Sequence, residues 1–206
     1  DASTYTYLPT GQGPSITFQP LPGGVLQPGQ LGVIMLSQYA SGDPLSVACP
    51  VPSALNVSTQ LDGTGRGHAF HITTDAPVVA YDVYPWGGAQ SYATSATLLL
   101  PSSSWGTNFV TADAWTAENG QPFTQIVGSV DGTTVTMVPT NSVPAAGGVA
   151  AMPANTPSMF TVNRGEIVQI LQNDRLAGPR ISSDHPISVW GGASCLNIPT
   201  GQVACD

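Results

Sequence analysis

The chain has 206 residues with no lysine, four arginines (Arg66, Arg164, Arg175, Arg180) and twelve carboxylates, for a formal charge of −8. A phosphate backbone or an anionic membrane needs several clustered cations, so nucleic acid and anionic lipid are poor partners. Charged residues make up 8% against about 25% in an average soluble domain, while hydrophobic residues reach 41%; solubility then rests on Ser, Thr, Asn and Gln, as suits an extracellular protein, and the apolar content is too high for disorder.

Glycine and proline punctuate the sequence so densely that the longest run free of both is thirteen residues, Thr107 to Asn119, which predicts strands joined by turns. In chain order the short β-favouring segments are Ser15–Phe18, Gly32–Leu36, Ala69–Thr73, Pro77–Tyr81, Thr133–Val138 and Ile187–Trp190. In the fifth, Thr133, Val135 and Met137 share one face, Thr134, Thr136 and Val138 the other, and Asp131-Gly132 supplies a turn in front. Two segments have room for a helix, Trp105–Glu118 and Glu166–Ala177. In the second, Ile167, Val168, Ile170 and Leu171 would share a helical face, but three of these four are β-branched and no N-cap precedes them, so a strand followed by a loop at Gln172-Asn173-Asp174 is expected. Val143 to Pro157 reads as a long loop between two strands. No stretch reaches the ~18 apolar residues of a membrane-spanning helix, and no basic segment with an apolar run opens the chain. A start at Asp1 fits signal-peptide removal and fits a fragment equally well.

An internal repeat organises these segments. Ile72-Thr-Thr-Asp75-Ala-Pro77-Val-Val-Ala80 matches Ile181-Ser-Ser-Asp184-His-Pro186-Ile-Ser-Val189 at an offset of 181 − 72 = 109, and Arg66 aligns with Arg175 at the same offset. Trp86-Gly87-Gly88-Ala89 then matches Trp190-Gly191-Gly192-Ala193 at 190 − 86 = 104, so the first copy carries five extra residues. The collinearity predicts two related β-sandwich-like halves, 1–102 and 103–206, arisen by duplication. Within each copy the aspartate is expected in a turn, accepting backbone N–H bonds, with the proline fixing φ before a buried strand. The Gly-Gly after tryptophan is expected to let the chain bend beside a bulky ring. These are scaffold roles rather than ligand contacts.

Cys195 and Cys205 lie ten positions apart across a turn at Ile198-Pro199-Thr200-Gly201, which predicts a local disulfide in an oxidising compartment, the alternative being two buried thiols. Cys49 is left as a buried thiol or the mate of a cysteine beyond Asp206.

Several motifs resemble the N-terminal domain family of the IgGFc-binding proteins. They are Arg180-Ile-Ser-Ser-Asp-His-Pro-Ile-Ser-Val-Trp-Gly-Gly-Ala-Ser-Cys195 continuing through Leu196-Asn-Ile-Pro199 to Ala204-Cys205-Asp206, Val130-Asp-Gly-Thr-Thr-Val-Thr136, Leu98-Leu-Leu-Pro101 with Trp105-Gly106, and Val162-Asn-Arg-Gly165. The resemblance runs from about Gly65 to Asp206. It implies an extracellular, adhesive or mucus-associated module, and it does not imply immunoglobulin binding. The family pattern continues past Cys-Asp, so a piece of the second half is expected beyond Asp206.

No residue stands out as catalytic. There is no Gly-x-Ser-x-Gly elbow, only Glu118 and Glu166 are glutamates, and the aspartates sit mostly beside Gly, Pro or Ser. His68 and His71, three apart, face opposite sides of a strand, and His185 belongs to the repeat, so no metal set is expected. Asp62-Gly-Thr-Gly65 and Asp131-Gly132 lack the alternating oxygen ligands of a calcium loop. Absence of lysine removes Lys–Asn isopeptide, Schiff-base and P-loop chemistry. Asn56-Val-Ser58 is a glycosylation sequon, and Trp105 and Trp115 are the rings to watch for a carbohydrate platform. The reading is an all-β, secreted or cell-surface, non-enzymatic module without cofactor, working through a protein partner or self-assembly at β-edges, with a glycan or mucin-like ligand as a further partner class. The alternative is a secreted hydrolase acting on glycans or peptides.

Overall fold

The computed structural model describes residues 1–38, 48–84, 95–112, 120–171, 173 and 177–195. Contacts divide the chain into two compact units, Asp1–Gln60 with Tyr84–Thr94, and Leu61–Val83 with Ser95–Asp206. Both are β-structured. The described residues contain no α-helix, only four 3-10 turns of three or four residues.

In the first unit β1 (Thr6–Thr10) lies between β2 (Thr17–Pro20) and β3 (Val33–Ile34), antiparallel to both. Tyr7 and Met35 are its buried apolar residues, and the Tyr7 hydroxyl donates to the Pro52 carbonyl at 3.2 Å. The strand expected from Ser15 starts at Thr17 because Gly13–Ser15, with Pro14 inside it, forms a 3-10 turn first.

The second unit holds β4 (Gly65–His68), β5 (Ala80–Tyr84), β6 (Ser95–Leu99), β7 (Gly106–Val110), β8 (Pro122–Gly128), β9 (Thr133–Val138), β10 (Ser158–Val162), β11 (Glu166–Leu171) and β12 (Arg180–Ala193). β5 and β6 pair as a separate two-stranded sheet; the others form a seven-stranded sheet in the order β10-β9-β12-β8-β11-β4, with β7 also on β12. The fourteen-residue β12 changes partners along its length. Arg180–Ser183 runs between β9 and β7, whereas Ile187–Ala193 lies against β8. The hairpin from β8 to β9 turns at the same level, and an isolated bridge joins Gly128 to Arg164 on the way from β10 to β11. The sheet therefore folds into two arms over one core. Ile126, Val168 and Ile170 come from one arm, Val135, Met137 and Val162 from the other, and Ile181 and Ile187 from the two ends of β12.

The alternation read in Thr133–Val138 is the alternation observed: Thr133, Val135 and Met137 are buried, their neighbours half-buried. Glu166–Leu171 is a strand, as its β-branched residues require. Trp105–Glu118 contributes β7 at 106–110, and residues 113–119 lie outside the described set. The loop 143–157 does more than connect strands. It folds back through Val143–Met152 and Ala146–Val149 pairings and buries Val143, Val149 and Met152 in the core.

Two expected strands differ from the structure. Ala69–Thr73 forms none, and the Pro77–Tyr81 strand begins only at Ala80. Ile72, Val78 and Val79 are all exposed, and among the described residues no neighbouring strand holds this segment extended.

Candidate interaction surfaces

The corner where the arms meet is built by the sequence motifs singled out above. The Asp131 carboxylate accepts the Arg164 N–H at 3.0 Å, and the Asn163 side-chain oxygen accepts the Gly132 N–H at 2.9 Å. Asp184 accepts the Thr134 N–H at 2.8 Å, and the Ser129 hydroxyl donates to the Pro186 carbonyl. Each turn is thus pinned by a side chain from another, which satisfies backbone groups that a sharp corner would strand. Gly128 is required at this point because a Cβ there would run into the Asn163 carbonyl.

Asp184 therefore accepts a backbone N–H, but across strands and from inside β12 rather than from a turn ahead of it. Its hydrogen bond from His185 (3.1 Å) and that from Thr134 hold its carboxyl below the usual aspartate range. Ile181 is 2% exposed, whereas Ile72, its counterpart in the repeat, is 45% exposed. Asp75 and Pro77 are exposed in the irregular segment before β5, and Trp86, Gly87 and Gly88 lie outside the described residues. Trp190 is half-buried and β12 continues straight through Gly191 and Gly192. The bend expected at this glycine pair is replaced by a close approach: a Cβ on Gly192 would stand 2.6 Å from the ring of Phe123, its partner on β8. Cys195 is half-buried and Cys205 lies outside the described residues. Cys49 is a free thiol, and burial pushes its pKa up.

A second polar cluster clasps β4 to the body of the unit. The Arg66 guanidinium donates to Glu166 Oε1 at 2.6 Å, to the Thr161 carbonyl from both terminal nitrogens at 3.1 Å, and through Nε to the Gly148 carbonyl at 3.2 Å. Burial pushes Glu166 up, but the Asn163 N–H on its other oxygen (2.8 Å) and Arg66 outweigh it, leaving the carboxyl below the usual range. Beside it the buried Gln169 amide donates to the Leu61 (2.9 Å) and Gly63 (2.7 Å) carbonyls and accepts from Gln125 Nε2 (2.7 Å). Sequence reasoning missed this clasp. Its only signal was the scarcity of charge, which makes any arginine in a strand a candidate for a specific partner.

The model of the IgGFc binding protein family matches residues 95–206, 112 of the 206 residues. The chain belongs to this family. No curated protein and no solved structure matches it.

Asp131, Asn163 and Asp184, from three of the sequence motifs, each accept a backbone N–H at the corner. Among the described residues no three His, Cys, Asp or Glu side chains come together. Asp131 serves the corner, His68 and His71 are exposed, and Trp115 lies outside the described residues. The sequon residue Asn56 is exposed and accepts from Gln38 Nε2 at 3.0 Å.

Two features face outward. Half-buried Trp105 and Trp190, with Leu98, Leu100, Phe109 and Val189, line a cleft of about 190 Å³, and Trp105 Nε1 points to the Leu100 carbonyl at 3.4 Å. The β5–β6 sheet exposes Tyr81, Val83, Leu98 and Leu99, with Val79 exposed just ahead of it, and within the described residues each of its strands pairs only with the other.

Proposed function

We propose that this chain is a non-enzymatic, extracellular binding module that works by surface contact, adhesive or structural in role, and that its β5–β6 sheet assembles with another polypeptide through a strand edge that is unpaired among the described residues. The observation that carries this reading is the two-stranded sheet itself. A two-stranded sheet is marginal in water unless something packs on it, and this one presents large apolar side chains with Asp82 as its only charged residue. Charge, lysine above all, is the usual device that blocks edge pairing, and the chain has no lysine. Secretion or display at a cell surface fits the family and the charge-poor composition, and a Cys195–Cys205 clasp belongs to the same proposal. The two halves, 1–102 and 103–206, are proposed as an ancestral duplication on the strength of the collinear motifs; the compact units follow other boundaries.

Light scattering across a concentration series tests assembly. The native chain should self-associate, and Tyr81→Lys with Leu98→Lys should return it to monomer; a native chain that stays a monodisperse monomer overturns self-association. A glycan or mucin-like ligand is the further partner class, supported by the Trp105–Trp190 cleft, since indole faces stack on sugar rings. Quenching of tryptophan fluorescence by mucin oligosaccharides, lost in Trp105→Ala, tests it; no quenching at any concentration would end that reading.

A further inference from the structure

The arm made of β7, β12, β9 and β10 turns one face to the core and the other to solvent. Its register places Val110, Arg180 and Val138 in one outward row, and Asn108, Ser182, Thr136 and Met159 in the next. The residues that alternate with them along the strands, Phe109, Ile181, Met137 and Phe160, go to the core, which fixes the direction of the rows. Val110 is 71% exposed and Met159 70%. An open groove of about 540 Å³ runs over this face.

Arg180 stands apart from the other arginines. Arg66 is held by Glu166 and three carbonyl contacts, Arg164 is exposed in the connection between β10 and β11, and Arg175 lies outside the described residues. The Arg180 guanidinium has no ion pair or hydrogen bond among the described residues and lies between two valines. In the same arm β7 pairs only with β12, so its outer edge presents unpaired N–H and C=O groups among the described residues.

We infer that this face binds an extended strand of a partner protein that carries an aspartate or glutamate among apolar residues. The strand adds to the outer edge of β7, its carboxylate takes the Arg180 fork, and an apolar neighbour covers Val110. Strands lie about 4.8 Å apart, so an added strand runs roughly 10 Å from β12, within the combined reach of an arginine and a carboxylate side chain. A single cation suits one carboxylate, whereas a polysulfated glycan asks for clustered cations and cannot use the edge amides in register. The inference depends on neither the β5–β6 assembly nor the glycan reading.

The test uses the full chain, isotope-labelled for NMR, titrated with acetyl-Val-Thr-Glu-Thr-Val-Thr-amide, whose valines share the glutamate's face, and with the same peptide carrying Gln for Glu. Amide shifts should concentrate at 106–110 and around Arg180. Affinity should fall roughly tenfold with the Gln peptide and equally with Arg180→Gln, Arg180→Lys being intermediate. The peptide comparison needs no protein variant, so misfolding cannot mimic the result. No binding at millimolar peptide, equal binding of both peptides, shifts confined to β5 and β6, or a sulfated oligosaccharide displacing the peptide at Arg180 would each overturn the proposal.

Discussion

Replacing Arg66 with alanine removes a fork that donates to Glu166 at 2.6 Å, to Thr161 at 3.1 Å and to Gly148 at 3.2 Å. These contacts fasten edge strand β4 to β10, β11 and the loop 143–157 at once. The two side chains are 29% and 15% exposed, so water screens the pair only in part. Glu166 keeps its Asn163 N–H at 2.8 Å, which limits what is left unpaired. A charge-assisted contact of roughly 1.5–3 kcal/mol, reduced for partial exposure, gives an expected loss of about 2 kcal/mol. For a chain of this size that corresponds to about 4–8 °C in unfolding midpoint. Urea unfolding followed by tryptophan fluorescence reads the loss, and a double-mutant cycle with Glu166→Gln should show coupling of about 1 kcal/mol or more. The pH dependence has a defined sign. Because the folded-state pKa of Glu166 is depressed, its contribution is present above the unfolded value and is lost as pH falls through the folded one. The native chain should therefore lose stability on acidification through and below the usual glutamate range, and Glu166→Gln should respond less steeply. A loss under about 0.5 kcal/mol for Arg66→Ala, or strict additivity in the cycle, refutes the clasp as a stabilising element.

Other outcomes follow from the packing of β8 and β12. Gly192→Ala should cost about 1–3 kcal/mol through its clash with Phe123, and the cost should shrink in a Phe123→Leu background; equal cost in both would show that the ring is not the obstacle. Thr124 is fully buried and its hydroxyl has no hydrogen-bond partner among the described residues, so Thr124→Val should be neutral or stabilise by about 1 kcal/mol, and clear destabilisation in a melting curve would contradict this. Peptide mapping without reductant should recover Cys195 and Cys205 in one linked species, a closure contributing roughly 2–4 kcal/mol, with Cys49 free to alkylate. Alkylation of all three cysteines in unreduced protein would dispose of the clasp.

The fold was legible where the pattern was local. Thr133–Val138 shows its period of two because one face meets the core and the other does not, and Glu166–Leu171 shows its β-branched run because both of its neighbours are strands. What stayed hidden was non-local. Nothing in Arg180–Ala193 says that one strand serves two arms, since that depends on β8 and β9 turning at the level of Asp184. The β-favouring residues of Ala69–Thr73 and Pro77–Val79 misled for the same reason. Identical Ile, Asp and Pro residues give a buried strand only where other strands are present to receive them, as around Ile181, and leave exposed irregular chain where they are not, as around Ile72.

The interaction surfaces were harder to read, and the reason lies in how the chain uses its few charges. The motif aspartates Asp131 and Asp184 are engaged by the backbone N–H groups of Arg164 and Thr134. Arg66 and Glu166, unremarkable in sequence, neutralise each other across a separation of a hundred residues. Once such pairs are taken out, the charges that remain on strands acquire meaning from their surroundings. Arg180 sits opposite Val110 and Val138, where its cation has no counter-charge and no hydrogen-bond partner among the described residues. A guanidinium left so in a chain of net charge −8 gains from an arriving carboxylate what no group of its own arm supplies, and that asymmetry appears only when register, burial and pairing are read together.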